Sequence, residues 1–239
     1  MSGWQLAAEL PAAAREAFAD LDRVFALDGE WVAEDQMSRV LRVEVAGLRY
    51  YVKQYWGAGK GLRRWLGRPR VEAEWQNLRL FAQWGIPAAP VVAWGLERRL
   101  GCFARGALIT AELAGTADLA ALARNHVPRL RQRDWLNRVS RQLAEATRLM
   151  HRHGFTHNDL KWRNLLVDQT GNLYLIDCPT GSFWWGPLLD YRIVKDLACL
   201  DKVAKYHLSR SRRLRFYLQY RGRERLSAND KRRLRKKEG

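Results

Sequence analysis

The stretch "HNDLKWRN", His157 to Asn164, sits between a long amphipathic run and the short apolar run "LLV" at 165–167. It holds an imidazole, a carboxylate, a lysine two places on and an asparagine five places on. A plain connecting loop needs only turn formers, so this density of polar chemistry asks for a reason. Upstream, Leu136, Val139, Leu143, Ala146 and Met150 recur at helical spacing and predict one helix from about Asp134 to His151. Downstream, "LLV", a Gly171-Asn172 turn and "LYLI" predict two strands, the second ending at Asp177.

Further out, residues 5–20 read as a helical preamble interrupted by Pro11. "SRVLRVEVAGLRYYVKQYW" (38–56) alternates on both sides of Ala46-Gly47 and predicts a hairpin. Pro69 opens a helix with Val71, Trp75, Leu78 and Ala82 on one stripe and Gly85 as its stop. "VVAWGLERR" and "CFARGALITAEL" predict two more strands, and "TADLAALARNH" a short helix with Thr116 as N-cap. A Trp/Pro/Gly-rich loop (179–189) precedes further helical segments. Strands with one helix come first and mostly helices follow, with a break near 111–115, which predicts a two-lobed α+β chain. The expected parts are a helical extension (1–29), a small β-rich N-lobe (30–112), a mainly helical C-lobe (113–208) and a basic helix or tail (209–239).

The 239 residues are 47% hydrophobic, enough for a substantial core, and carry a formal charge of +17. From Lys202 to Gly239 there are 15 Lys or Arg against 3 acids, a net +12. A second basic knot spans 59–70, with Lys60, Arg63, Arg64, Arg68 and Arg70. Such a balance points to an anionic partner. Three cysteines without a CxxC argue against a zinc site or disulfide framework and fit a reducing compartment. The first residues lack a signal-peptide pattern, and no apolar run approaches the roughly 20 residues of a membrane span. A soluble or peripheral protein is expected.

"HNDLKWRN" resembles the protein-kinase catalytic loop, H-x-D followed by Asn. "LYLID" is similar to the metal-binding carboxylate that follows that loop, and "YYVKQY" to the strand that carries the ATP-binding lysine. Within kinases, "LRYYVKQYW", "EWQNLRLFAQWGIPAAPVVAWG" and "RIVKDLACL" resemble the lipopolysaccharide core kinases, the Kdo and heptose kinase family. That resemblance implies a bilobal protein-kinase-like fold. It implies ATP- and Mg2+-dependent phosphorylation of an inner-core sugar, heptose or Kdo, by a cytoplasmic enzyme peripheral at the inner membrane. Asp159 would orient the attacking hydroxyl and Lys161 would point to the transferring phosphate. Asn164 and Asp177 would hold magnesium. Lys53, Glu74, Glu112 and Leu113 are assigned to nucleotide binding. Glu74 is preferred to Glu72 as the ion-pair partner of Lys53, because it lies closer to the apolar stripe of its helix. His157 would brace the loop, and Asp196 in "RIVKDLACL" would anchor it from below.

The departures carry information too. Asn158 stands where many protein kinases have Arg, so control by activation-loop phosphorylation is not expected. Asp177-Cys178-Pro179 replaces D-F-G, no A-P-E follows, and no G-x-G-x-x-G precedes Lys53. These favour a sugar over a protein acceptor. Two alternatives stand: a kinase of another small-molecule or protein acceptor, and a membrane- or RNA-bound pseudokinase acting by contact. The basic tail reads as a membrane-surface helix or as a packed helix with a solvated end, and a nucleic-acid partner is not expected. The basic knot suits glycolipid phosphates or plain solvent. "SFWWGPLLDY" suits an acceptor site, lipid headgroups or the core.

Overall fold

The computed structural model describes residues 3–58 and 68–226. The chain divides into two compact units, one made of Met1–Gly115 with Tyr174–Gly181, the other of Thr116–Leu173 with Ser182–Gly239. Lys60, Arg63 and Arg64 of the basic knot, and the tail beyond Leu226, lie outside the described residues.

The first unit is built on a six-stranded antiparallel sheet. Its strands are β1 (Gly3–Leu6), β2 (Glu30–Glu34), β3 (Ser38–Val45), β4 (Leu48–Tyr55), β5 (Val91–Arg99) and β6 (Cys102–Ala111), in spatial order β1-β5-β6-β4-β3-β2. Ala46 and Gly47 turn the β3–β4 hairpin with φ of 52° and 76°, the left-handed pair that a two-residue hairpin turn requires. Two short helices, α1 (Ala12–Ala17) and α2 (Leu21–Phe25), cover one face of the sheet. Ala14, Phe18 and Val24 are fully buried there among Leu41, Val43, Tyr50, Val52 and Ile109. Phe18 meets Tyr50 edge to face, with ring centroids 5.1 Å apart. Helix α3 (Arg70–Gln83) packs on β5 and β6 through Val71, Leu78 and Phe81.

The expected helical preamble is corrected by β1. Residues 3–6 pair with β5 in the register Gly3↔Leu96 to Leu6↔Ala93. That pairing spans some ninety residues of chain, so no local pattern announces it. Gly95 makes it possible, since a Cβ there would stand 2.2 Å from the Gly3 carbonyl oxygen. Trp4 locks the arrangement by donating its indole N–H to Phe18 O at 2.7 Å.

The second unit is mainly helical. After β7 (Ala117–Asp118) and α4 (Leu119–Arg124), helix α5 (Arg133–Arg152) buries Leu136, Val139, Leu143, Ala146 and Met150. The strands β8 (Phe155–Thr156) and β9 (Leu165–Val167) flank the polar loop, and β9 pairs antiparallel with β7. Strand β10 (Leu173–Leu175) carries the chain into the first unit, and β11 (Ser182–Phe183) begins its return. Helices α6 (Gly186–His207) and α7 (Arg210–Arg221) follow. No helix of the described residues is long and apolar enough to cross a membrane.

Two local expectations change. The cap of α4 is Asp118 rather than Thr116, because β7 keeps the chain extended through 118 and the Asp118 carboxylate accepts the Ala121 N–H at 2.8 Å. Helix α6 begins at Gly186, inside the expected loop, with Pro187 at a position that needs no N–H. Phe18→Ala is expected to cost about 3–5 kcal/mol, because the sheet face cannot collapse onto the vacated ring. A lowered urea midpoint for the first unit checks this.

Candidate active site

In the first unit, Lys53 lies mid-strand on β4, opposite Val40 of β3 and Leu108 of β6, so pairing on both sides fixes its backbone. Its Nζ lies 2.9 Å from Glu74 Oε2 and 2.5 Å from Asp177 Oδ1. Glu74 is buried on α3 and also accepts from the Tyr55 hydroxyl. Glu72 faces away, toward Arg98 at 3.8 Å. Burial alone would pull the Lys53 ammonium down, but Glu74, Tyr55 and Asp177 outweigh it and hold it well above the usual lysine range. Burial, with Glu74 second, lifts the Tyr55 phenol well above its ordinary value. By linkage, the raised Lys53 value contributes stability that is complete below the unfolded lysine value and lost only as pH climbs through the folded one.

Asp177 holds φ at 57°, a left-handed conformation uncommon outside glycine. The segment after it is tied to α3, where Asn77 donates to Cys178 O at 2.7 Å and to Gly181 O at 3.0 Å. Glu74 and Asn77 are three residues apart on one helix face, so α3 positions both the lysine and the loop carrying Asp177. Glu112 sits just beyond β6, its carboxylate 3.8 Å from both Arg42 and Arg49 and its N–H donating to Arg49 O. Leu113 follows it, half-buried.

In the second unit the polar loop is a compact device. Lys161 Nζ lies 2.5 Å from Asp159 Oδ1, and Arg163 is 3.7 Å from Oδ2. Asn164 donates its side-chain amide to Asp159 O at 2.9 Å and to Oδ2 at 3.4 Å. Trp162 is buried and pins the loop to α6 by donating to Leu200 O at 3.0 Å. His157 is fully buried, and Asn158 adopts φ of 63°. Beneath them lies Asp196, 1% exposed, whose two oxygens accept the backbone N–H groups of His157 at 2.7 Å and Asn158 at 2.9 Å. His151 Nε2 is 3.4 Å from Asp196, and its Nδ1 is 2.8 Å from the Tyr220 hydroxyl on α7. The Asn158 amide donates to Ser182 Oγ at 3.0 Å, binding the loop to β11.

Sequence reading missed Tyr55, Asn77, His151, Arg163 and Tyr220. Asn77 and His151 carried a faint signal, polar side chains falling among buried positions of amphipathic helices. Tyr220 carried none, because its partner lies 69 residues away. Among the described residues no group of three or more His, Cys, Asp or Glu could hold a metal by itself. The Asp177 carboxylate in the first unit and the Asn164 amide carbonyl in the second are each hard oxygen donors of the kind magnesium accepts.

Residues 22–234 match the family described as lipopolysaccharide kinase (Kdo/WaaP). The chain is similar to the lipopolysaccharide core heptose(I) kinase WaaP of Pseudomonas aeruginosa, 32% identical over 58% of this chain and 54% of that protein. It is also similar to the 3-deoxy-D-manno-octulosonic acid kinase of Xylella fastidiosa, 30% identical over 49% of this chain and 45% of that one. The matches thus span about half the length of these curated relatives. A solved structure of WaaP in complex with acyl carrier protein superposes with a TM-score of 0.71 at 26% identity, covering 92% of this chain and 89% of that one. The fold is therefore protein-kinase-like.

Asp196→Ala would strand the buried His157 N–H and the part-buried Asn158 N–H, the former costing about 1–3 kcal/mol. Amide hydrogen exchange is expected to accelerate at His157 and Asn158, while amides of β3 to β6 keep their protection.

Proposed function

Because the chain belongs to the lipopolysaccharide kinase (Kdo/WaaP) family, we propose that it transfers the terminal phosphoryl group of ATP to a heptose or Kdo hydroxyl of a lipopolysaccharide inner core. One observation carries the reading. Each unit holds a preorganised polar cluster of the kind phosphoryl transfer needs: Lys53 with Glu74 and Asp177 in the first, Asp159 with Lys161 and Asn164 in the second. Such chemistry asks a protein for positioning and charge neutralisation rather than covalent help.

Lys53, kept charged and straightened by Glu74, is the cation for the inner phosphates of ATP. Asp177 and Asn164 are the residues that would hold Mg2+, and Asn164 spends its amide N–H groups on Asp159, so its carbonyl oxygen is the donor. The ion, when bound, neutralises charge on the phosphates. Asp159 accepts the proton of the acceptor hydroxyl as the new O–P bond forms and the bond to the ADP oxygen breaks. Lys161, now on Asp159, moves to the transferring phosphoryl oxygens once that charge arrives. Glu112 is engaged by Arg42 and Arg49, so Glu112 and Leu113 contribute backbone groups and apolar surface to the nucleotide. In place of a glycine-rich loop, the β2–β3 hairpin covers it. Asp35 sets its tip, its carboxylate accepting the Met37 and Ser38 N–H groups at 2.8 Å.

The acceptor is anchored in lipid, so the enzyme works from the cytoplasmic face as a peripheral protein on an anionic inner-membrane surface. An acyl carrier protein is a second partner on the same reading. The second unit contains a cavity of about 670 Å³ lined by Leu136, Val139, Leu143, Leu200 and Tyr217, with Lys205, Arg210 and Arg213 also on its wall. That chemistry suits an apolar chain presented by an anionic carrier.

Asp159→Asn is expected to lower kcat by about 10²–10⁴-fold while ATP affinity persists. Transfer of labelled phosphate to purified core glycolipid measures it, and unchanged turnover would remove Asp159 from its role. Lys205→Glu with Arg210→Glu is expected to weaken binding of acyl carrier protein in calorimetry; equal affinity would remove the basic wall from that contact.

A further inference from the structure

Helix α6 buries Asp196, Leu200 and Ala204 on one side. Another side of the helix is open. Trp185, Leu188, Arg192, Lys195, Lys202 and Tyr206 follow one another at steps of three, four or seven residues and therefore share one stripe. Trp185 is 80% exposed, Leu188 57% and Tyr206 75%, with Phe183 and Tyr191 about half exposed beside them. Large apolar side chains in such number do not stay contiguous on a surface without a use.

Cations are woven into the stripe. Arg192 lies over the Trp184 ring at 4.5 Å and Lys195 over Tyr191 at 4.7 Å. Asp190, the one acid between Gly186 and Lys195, falls on a different side of the helix. Amphipathic aromatic rings at one end of a helix, a leucine between them and basic side chains along the same line form the pattern that seats a helix in a membrane interface. The chain's +17 charge draws it to an anionic bilayer in the first place.

The stripe is also registered on the catalytic loop. Ser182↔Thr156 and Phe183↔Phe155 pair β11 with β8, and the Trp184 N–H donates to Gly154 O at 2.8 Å. Twelve residues after Trp184, Asp196 grips the loop from inside α6. Between Lys195 and Lys202 on the stripe lies Cys199, whose thiol burial raises, Lys202 opposing and Asp196 adding to the rise ahead of Asp159. The helix that carries the open face thus also holds the loop that carries Asp159, through Asp196 and through the Trp162 bond to Leu200 O.

We infer that the outer stripe of α6, entered through Phe183 and Trp185, is the surface by which this protein seats itself on an anionic lipid interface, holding the catalytic loop at headgroup level where a lipid-anchored sugar is presented. The acceptor part of this rests on the kinase reading above; the lipid part does not.

The test uses the full chain and vesicles of phosphatidylglycerol and phosphatidylethanolamine, at salt high enough to screen the basic tail. The W185S/L188S/Y191S variant is expected to partition onto vesicles roughly tenfold less than the parent chain. It should phosphorylate acceptor embedded in vesicles poorly and a deacylated core oligosaccharide normally. Should that variant fail to fold, W185F serves instead, and loss of the parent's tryptophan quenching by brominated acyl chains reports that Trp185 is the inserted ring. Parent-like vesicle binding by the triple variant, with quenching retained in W185F, overturns the inference. So does a parent dimer that the triple variant abolishes while lipid binding is unchanged, since the stripe would then belong to a second copy. Vesicle partition that falls as expected with no sugar phosphorylated by either chain keeps the lipid surface and rejects the kinase reading.

Discussion

The second unit is organised around one buried carboxylate. Asp196 presents both oxygens to consecutive backbone N–H groups, those of His157 and Asn158, at a point where the chain enters a left-handed turn and cannot bond to itself. A buried ion with unmatched donors around it would be costly, and matched it becomes a rigid post. His151 and Tyr220 extend the post through α5 to α7. Asp159 therefore inherits its direction from a helix that starts after it in sequence. In the first unit α3 plays the corresponding part, with Glu74 aiming a strand lysine and Asn77 holding the segment after Asp177.

Both arrangements share a logic. The groups proposed to meet substrate, Lys53, Asp159 and Asp177, keep solvent exposure, whereas the groups that orient them, Glu74, Asn77 and Asp196, are buried and saturated with short bonds. Strain is placed where the bonds can hold it: Asn158 and Asp177 both have positive φ, and each is followed or flanked by side-chain locks from a helix.

Much of this was legible from the chain. The amphipathic period of α5, the alternation of β3 and β4 about Ala46-Gly47 and the spacing from Asp159 to Asp177 are local patterns, and local patterns survive in sequence. Glu74 could be chosen over Glu72 because angle on a helix is arithmetic. What stayed hidden is non-local. Strand β1 exists because Gly95, far along the chain, leaves room for it. Asn77, His151 and Tyr220 look like ordinary helix residues until the bonds across 101, 45 and 69 residues are known. The N-cap of α4 moved from Thr116 to Asp118 because a two-residue pairing with β9 delayed the helix.

Asn158 has a consequence for how such a protein would be governed. In place of an arginine waiting for a phosphorylated segment, this position already spends its amide on Ser182 and its N–H on Asp196. The conformation of this loop is thus held by bonds from within the chain itself. Under the proposed reading, the tempo would then rest with whatever delivers the cargo.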